Sequence, residues 1–286
     1  MIVTMEWILD RLDKMVPRVG RVRPSENAPP DALTTSQVLV LATEVDAVAD
    51  LLGDRLEPAV NYLCQDQQAD GRWLREKDDW HTSITAWNLL ALQRLQLGTR
   101  WERAARKGFA WLRARQTADG GFSQSDVVLR PNTYSTSYST AASFACDPSD
   151  DAVRRGLNWL AKAQAPEGGY SDDCTVEDGT DPSLTAYVAH AISSLPSEET
   201  AQVREGCEHF IARTQRPSGA WPAWYESVDS IEGTAAALRV LLASDNDPRP
   251  AAQAALAFLD EAVKRSDPEN WIIITLAYVA VRRTPA

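Results

Sequence analysis

The sequence predicts an all-α protein built as an α6/α6 toroid, in which a ring of six inner helices is surrounded by six outer helices. Two observations indicate this fold class: a heptad of residues recurs at a fixed period, and charged amphipathic segments alternate with nearly apolar ones. The length agrees, because twelve helices with their turns account for all 286 residues. We therefore expect a single domain over residues 1–286, with a repeat of 48–51 residues.

The recurring heptad consists of Gln, three residues, Gly, one residue and an aromatic side chain. Its four copies begin at Gln67, Gln116, Gln164 and Gln215, which lie 49, 48 and 51 residues apart. A period of this size is typical of an array of supersecondary units. The Gly of each copy predicts a turn that ends a helix.

The segment before each heptad predicts an outer helix. An aromatic and an aliphatic residue stand five and four positions before the Gln, and a small residue stands eight positions before it. Residues spaced three and four apart form the buried stripe of an amphipathic helix. The predicted outer helices lie near residues 5–16, 55–67, 101–116, 151–164, 200–215 and 250–265.

The segment after each heptad is less charged, is rich in Ala, Ser and Thr, and contains a Thr-Ala pair. The pairs begin at Thr85, Thr140, Thr185 and Thr234, and weaker copies of the segment start at Thr34 and Asn270. Only a helix that is covered on most sides has so few charged residues, so these segments predict the inner ring.

Composition excludes several functions. Lys and Arg number 29 against 40 Asp and Glu, and the resulting net charge of −11 provides no basic surface for a nucleic-acid partner. No apolar run approaches the roughly 20 residues of a transmembrane segment. The N-terminal region carries acids where a signal peptide would begin with basic residues. We therefore expect a cytoplasmic protein.

The heptad followed by a Thr-Ala helix resembles the repeat of the terpenoid cyclase and protein prenyltransferase superfamily, over about residues 55–245. The resemblance implies the toroid fold and a central cavity that holds a hydrophobic isoprenoid. It also implies that the chemistry takes place where the inner helices begin. The repeat itself is structural, so the function has to be argued from the residues at those helix starts.

Class II cyclases of this superfamily carry Asp-x-Asp-Asp directly before Thr-Ala, and the middle carboxylic acid protonates an alkene. No Thr-Ala pair in this chain has the complete motif. Before Thr185 only the first acid remains, as Asp181. Before Thr234, Glu232 takes the place of the proton donor, with Asp229 one residue outside the motif. The resemblance thus makes Glu232, Asp181 and Asp229 the candidate acids.

Metal sites have less support. Prenyltransferases of the superfamily bind zinc through Asp-x-Cys and His, and the corresponding residues here are Asp181, Ser183 and Gly233. A single carboxylate binds zinc far too weakly, so we expect no zinc and no resident cofactor. An acidic loop would suit the Mg²⁺ of a diphosphate, with a solvated loop as the alternative. The candidate Mg²⁺ ligands are Asp172, Asp173 and Asp178.

Aromatic residues near the inner-helix starts are the candidate ligand-binding residues, because aromatic faces cover apolar chains and stabilise cations. They are Trp80, Trp87, Tyr134, Tyr138, Tyr187, Trp224 and Tyr225. Plain core packing is the alternative. His81 stands at an inner-helix start, where an imidazole either relays a proton or lies beside the helix cap.

Two functions remain open from the sequence. The first is a small relative of the class II terpenoid cyclases, an isomerase or lyase that binds an isoprenoid and starts its cyclisation by protonation. The second is a non-catalytic toroid that binds a lipid, a peptide or a protein partner. The retained acids favour the first, and the incomplete motifs favour the second.

Overall fold

A computed structural model of the chain describes residues 4–18, 20–25, 28–75, 79–95, 99–172, 179–223, 228–243, 249–265, 268 and 270–283. The chain divides into two compact units. The N-terminal unit is Leu12–Leu160, and the C-terminal unit is Ala161–Ala286 together with Met1–Arg11.

Charged helices alternate with buried ones, and the charged helices lie within three residues of their predicted positions. The charged helices are α1 (Met5–Met15), α4 (Leu56–Asp66), α6 (Thr99–Arg113), α8 (Asp151–Ala163), α10 (Ser197–Arg213) and α12 (Arg249–Arg265). The buried helices are α2 (Ala32–Glu44), α5 (His81–Leu95), α7 (Thr133–Cys146), α9 (Pro182–Ile192), α11 (Ile231–Ala243) and α13 (Asn270–Arg283). Helix α3 (Asp46–Leu52) and a 3-10 turn (Gly53–Arg55) are additional, and β1 (Trp221–Pro222) pairs antiparallel with β2 (Asp229–Ser230).

Within each unit the buried helices pack side by side in chain order. In the N-terminal unit α5 packs between α2 and α7, and in the C-terminal unit α11 packs between α9 and α13. Charged helices such as α6 and α10 cover them from outside. Every residue of α5 from Thr82 to Leu92 is buried, whereas α8 buries one stripe. Among the described residues, no helix is both long and apolar enough to cross a membrane.

The Gln of each heptad joins its own turn to the next charged helix. Gln67 Nε2 donates to the carbonyl oxygens of Gly71 at 2.7 Å and of Ala104, in α6, at 2.9 Å. The equivalent pair of hydrogen bonds is made by Gln116, Gln164 and Gln215. A primary amide nitrogen carries two donors, so it can serve both acceptors at once.

The heptad Gly is required by both conformation and space. The φ angle of Gly71 is +105° and that of Gly168 is +94°, in the region that side chains disfavour. A Cβ atom at Gly168 would lie 2.2 Å from the carbonyl oxygen of Gly206 in α10. The turn therefore rests directly on the backbone of the next charged helix.

The aromatic residue of each heptad ties the turn to the following buried helix. Trp73, Phe122, Tyr170 and Trp221 are fully buried. Their backbone N–H groups donate to the Oγ1 atoms of Thr85, Thr136, Thr185 and Thr234 at 2.9–3.2 Å. The second of these acceptors differs from the sequence prediction. The Thr equivalent to Thr85 is Thr136, one helical turn before Thr140 of the predicted Thr-Ala pair.

A fifth, degenerate copy of the turn lies at the start of the N-terminal unit, where the sequence analysis finds none. Gly20 has a φ of +72°, and Val22 N–H donates to Thr35 Oγ1 at 3.1 Å, as in the other copies. Val16 replaces the Gln. The tie is now made from the opposite side, because Arg55 Nη1 donates to the carbonyl oxygen of Val16 at 2.8 Å.

Replacing Gly168 by Ala tests the close approach of turn and helix. We expect Gly168→Ala to lower the free energy of unfolding by about 3 kcal/mol, because it adds an overlap with backbone to the cost of a positive φ. Gly179→Ala is the matched control, since Gly179 has a φ of +74° but no atom of the described residues lies near its Cβ position. It should cost only about 1 kcal/mol. Equal losses in urea unfolding would contradict the close approach.

Replacing Gln67 by Glu tests the amide bridge. The carboxylate would face two carbonyl oxygens without a donor, so we expect Gln67→Glu to cost about 2–4 kcal/mol at neutral pH. The protonated carboxyl group has one donor, so the folded state favours protonation and raises the pKa of this group. The stability of the variant should therefore recover as the pH falls. The exposed neighbour provides the control variant, Gln68→Glu. Thermal melts of both variants at pH 7 and pH 4.5 would measure the difference.

Candidate functional site

Four of the predicted ligand-binding residues form one cluster in the N-terminal unit. The ring centroids of Trp87 and Tyr138 are 4.5 Å apart, and those of Tyr134 and Tyr138 are 4.8 Å apart. Trp80 meets Tyr134 edge to face at 6.0 Å. The indole N–H of Trp87 donates to the hydroxyl oxygen of Tyr134 at 3.2 Å. We call these four residues the aromatic cluster.

The local sequence explains why the cluster forms. Tyr134 and Tyr138 are four residues apart and so share one face of α7. Trp80 directly precedes α5, and Trp87 lies two turns along the same helix. Trp87 and Tyr138 are 5% and 1% exposed, whereas Trp80 and Tyr134 are half-buried. The cluster thus runs from a packed interior to an accessible pair of rings at the helix starts.

His81, the first residue of α5, lies next to the cluster and is held by a carboxylate. Its Nδ1 atom is 2.9 Å from Asp126 Oδ1, and Arg72 forms a salt bridge with the same carboxylate. Burial alone would raise the pKa of Asp126, but the hydrogen bonds from His81 and Arg72 lower it to about 2. An imidazole oriented by a carboxylate is a typical general acid or base.

Asp126 is a functional candidate that the sequence analysis misses. It lies in the loop between the heptad turn of Gln116 and α7, where Gln124 N–H donates to Arg130 O at 3.2 Å. Thr82 N–H donates to Gln124 O at 3.1 Å, which ties this loop to the start of α5. These are contacts between distant residues of irregular structure, so no sequence spacing indicates them.

Two further predicted residues meet in the C-terminal unit. The Tyr187 hydroxyl, on α9, donates to Glu232 Oε1, in the first turn of α11, at 2.6 Å. Both residues are half-buried. His190 follows Tyr187 by one turn, and its ring centroid is 5.5 Å from that of Tyr278. Glu232 therefore lies on a wall of polar side chains carried by α9, α11 and α13.

Arg239 adds a cation to this wall. Its position seven residues after Glu232 places both on one face of α11. The guanidinium carbon of Arg239 lies 3.3 Å from the ring centroid of Tyr278, a close cation–π contact. Arg239 is not among the predicted site residues, although its seven-residue spacing from Glu232 is visible in the sequence.

The other two predicted acids have structural partners. Asp181 caps α9, because its Oδ1 accepts the N–H of Leu184 at 2.8 Å. Asp229 Oδ1 accepts a hydrogen bond from Arg216 at 2.9 Å. Hydrogen bonding to Ser218, and then the charge of Arg216, hold the pKa of Asp229 below its usual value. Asp229 is thus a paired carboxylate, which is poorly suited to donate a proton.

Asp31 is a buried acid that the sequence analysis overlooks. It stands four residues before Thr35, as Asp181 stands four before Thr185, and its Oδ1 caps α2 by accepting Thr34 N–H at 2.7 Å. Burial raises its pKa, and the hydrogen bond from Thr34 opposes that shift. The run Asp-Ala-Leu-Thr-Thr is the signal for this position.

The remaining predicted residues fall largely outside the described part of the chain. Trp224 and Tyr225, and the Mg²⁺ candidates Asp173 and Asp178, are not among the described residues. Asp172 is half-buried. Within the described ranges, no group of three or more His, Cys, Asp and Glu side chains is arranged to bind a metal ion. The Mg²⁺ site therefore stays a prediction.

Solved structures similar to this chain have diverse functions. A protein from Actinoplanes is 17% identical with a TM-score of 0.74, and the match covers 97% of each chain. A variant of the type II terpene cyclase MstE from Scytonema, in complex with its substrate geranylgeranyl dihydroxybenzoate, is 15% identical with a TM-score of 0.73, covering 97% of this chain and 95% of that one. An inactive variant of an α-1,6-mannanase from Salegentibacter, in complex with α-1,6-mannotriose, is 11% identical with a TM-score of 0.63, covering 97% and 98%. At these identities the likeness concerns the fold.

Family models identify the relationship more closely. The model of the prenyltransferase alpha-alpha toroid domain matches residues 169–267, and that of the squalene-hopene cyclase C-terminal domain matches residues 27–182. No curated protein matches the chain. The toroid predicted from the repeat is confirmed by these models and by the similar structures. The squalene-hopene cyclase model matches more than half of this chain, and the chain therefore belongs to the squalene-hopene cyclase C-terminal domain family.

Proposed function

We propose that this chain is an isoprenoid-binding protein of class II cyclase type, with the aromatic cluster as an apolar binding surface of the N-terminal unit and Glu232 as the proton-donating acid of the C-terminal unit. The aromatic cluster is the observation that carries the proposal. Membership of the family supports it, as does the likeness to MstE, which was solved with a geranylgeranyl-bearing substrate. The two parts of the proposal rest on separate observations, so each is tested on its own.

The aromatic cluster suits an apolar chain that becomes cationic. The half-buried rings of Trp80 and Tyr134 offer contact area without disturbing the packed pair of Trp87 and Tyr138. Ring faces are electron-rich, and each attracts a nearby cation by about 0.5–2 kcal/mol. The hydrogen bond from Trp87 fixes the hydroxyl of Tyr134, so the rings are oriented before a ligand arrives.

Glu232 is the best placed of the three predicted acids, because Asp181 caps a helix and Asp229 is ion-paired. The carboxyl proton passes to one carbon of an alkene, whose π electrons form the new C–H bond. The other alkene carbon becomes a cation, and Glu232 is left as a carboxylate. The hydroxyl of Tyr187, 2.6 Å from Oε1, stabilises that carboxylate and so favours the transfer.

His81 has a different part in the proposal. A cyclised cation forms an alkene when it loses a proton to a base. His81 is oriented by Asp126 and adjoins the aromatic cluster, so it is the base that the N-terminal unit offers. It would return to its neutral form by passing the proton to water.

Substitutions in the aromatic cluster should weaken isoprenoid binding. We expect Trp80→Ala and Tyr134→Ala to raise the Kd for geranylgeranyl diphosphate and squalene about tenfold or more, because each removes apolar contact area worth about 1.5–3 kcal/mol. Fluorescence titration and calorimetry would measure both affinities. The control is Phe109→Ala on α6, whose ring packs under Arg113. Unchanged affinities in the cluster variants would refute the binding site.

Substitution of Glu232 should abolish cyclisation. We expect incubation with farnesyl diphosphate, geranylgeranyl diphosphate or squalene to give a cyclic product by mass spectrometry. Glu232→Gln should lower its yield at least about 100-fold, and Tyr187→Phe about tenfold. The exposed Glu198, in the first turn of α10, provides the control Glu198→Gln.

Two results of that experiment would change the assignment. A product that survives Glu232→Gln would exclude Glu232 as the acid. Isoprenoid binding without any product would instead favour the non-catalytic toroid, and capture of a peptide or protein partner would then test that function.

A further inference from the structure

A cleft of about 620 Å³ lies in the N-terminal unit between helix α4 and the degenerate turn at Gly20, which comes first in the chain. We call it the arginine cleft; it is lined by Arg18, Arg21, Pro58, Asn61, Tyr62 and Gln65. The four lining residues of α4 are spaced three and four apart, so they share one face of that helix. The arginine cleft has no residue in common with the aromatic cluster.

The degenerate turn places the two arginines over α4. A Cβ atom at Gly20 would lie 2.3 Å from the backbone nitrogen of Ala59, so only Gly lets the turn approach α4 so closely. Arg18 and Arg21 flank Gly20 and therefore extend over the helix face. In the four complete heptads, the position of Arg18 is occupied by Ala or Pro.

Arg21 is oriented by an aromatic ring. Its guanidinium carbon lies 5.2 Å from the ring centroid of Tyr62, within the range of a cation–π contact. The Tyr62 hydroxyl is in turn held, because it donates to the carbonyl oxygen of Pro30 at 3.3 Å. The guanidinium group of Arg21 is thus held in place by Tyr62.

The two arginines of the cleft have no salt-bridge partner among the described residues. Other arginines of this unit have carboxylate partners: Arg55 pairs with Asp13 and Arg94 with Glu44. Neither Arg18 nor Arg21 makes a salt bridge with any residue that the structure describes.

Two nearby acids oppose the two arginines. Asp66 lies in the last turn of α4, and the charge of Arg21 acts on it without a salt bridge between them. Burial raises the pKa of Asp66, and the negative charge of Asp31 adds to that shift. Asp66 and Asp31 both act on Tyr62, which lines the cleft, so an anion there meets two arginines and the charges of two nearby carboxyl groups.

We infer that the arginine cleft binds the phosphate group of an organic ligand. Guanidinium groups match phosphate oxygens with two parallel hydrogen bonds, and two of them line this cleft. The side-chain amides of Asn61 and Gln65, which also line the cleft, carry N–H donors, and Asn61 Oδ1 is buried. The volume lies in the range of small-molecule sites and exceeds what one phosphate fills, which leaves room for an organic body against Pro58 and Tyr62.

Titration of the full chain with pyrophosphate tests this site. We expect saturable binding to the wild-type chain, weakened by added salt, since exposed charges are screened. The double variant Arg18→Gln/Arg21→Gln should raise the Kd about 100-fold, or about tenfold for each arginine lost. The control is Arg154→Gln, because Arg154 is an exposed arginine of α8 paired with Asp151. Urea unfolding of each variant verifies that the fold is retained.

A second arm identifies the source of the phosphate. Sedimentation with phosphatidylcholine vesicles, with and without phosphatidic acid, reports binding to a lipid phosphate. Binding of pyrophosphate alone indicates a soluble phosphate ester, and binding of the acidic vesicles alone indicates a lipid. The inference is overturned if neither probe binds the wild-type chain, or if the double variant binds as tightly as the wild type.

Discussion

The contact between a glycine turn and the backbone of the next charged helix determines the geometry of each unit. A turn that rests on a helix backbone fixes the separation of two successive repeats within a fraction of an ångström, because side chains can yield and carbonyl groups cannot. The Gln amide then fixes how the turn is rotated, and the Thr hydroxyl fixes where the buried helix begins. The starts of α2, α5, α7, α9 and α11 are therefore set by the turns before them.

This constraint explains why candidate catalytic and structural acids are hard to tell apart. The residue four positions before the Thr of each repeat meets the free N–H groups of a helix start, which need an acceptor. Asp31, Asn132 and Asp181 all supply one with their side chains. His81 occupies the same position and reaches a loop carboxylate instead. An acid at this spacing is accordingly a cap first, and Glu232 escapes that role because it lies inside the first turn.

Local patterns made most of the fold and the aromatic cluster predictable. Helix periodicity and the heptad spacing act within one repeat, and Tyr134 and Tyr138 meet through simple four-residue spacing. The register of α7 was not predictable, because its run of Ser and Thr offers two threonines one turn apart. Asp126 was not predicted because contacts within a loop, and not a sequence spacing, place it beside His81. The degenerate turn at Gly20 was not predicted because Val16 and Val22 replace the Gln and the aromatic residue that define the heptad.

The degenerate turn at Gly20 also shows that the contact between a turn and the next charged helix needs a hydrogen-bond donor, which either the turn or the helix can supply. In the complete heptads the acceptor carbonyl belongs to Ala or Val, and the donor belongs to the Gln. At the first turn the same helix position is Arg55, which donates back to Val16. Arg55 thus supplies the hydrogen-bond donor that the Gln supplies in the complete heptads. In related sequences the Gln position and the Arg55 position should covary. A repeat that lacks the Gln could then be recognised by a long basic side chain near the start of the next charged helix.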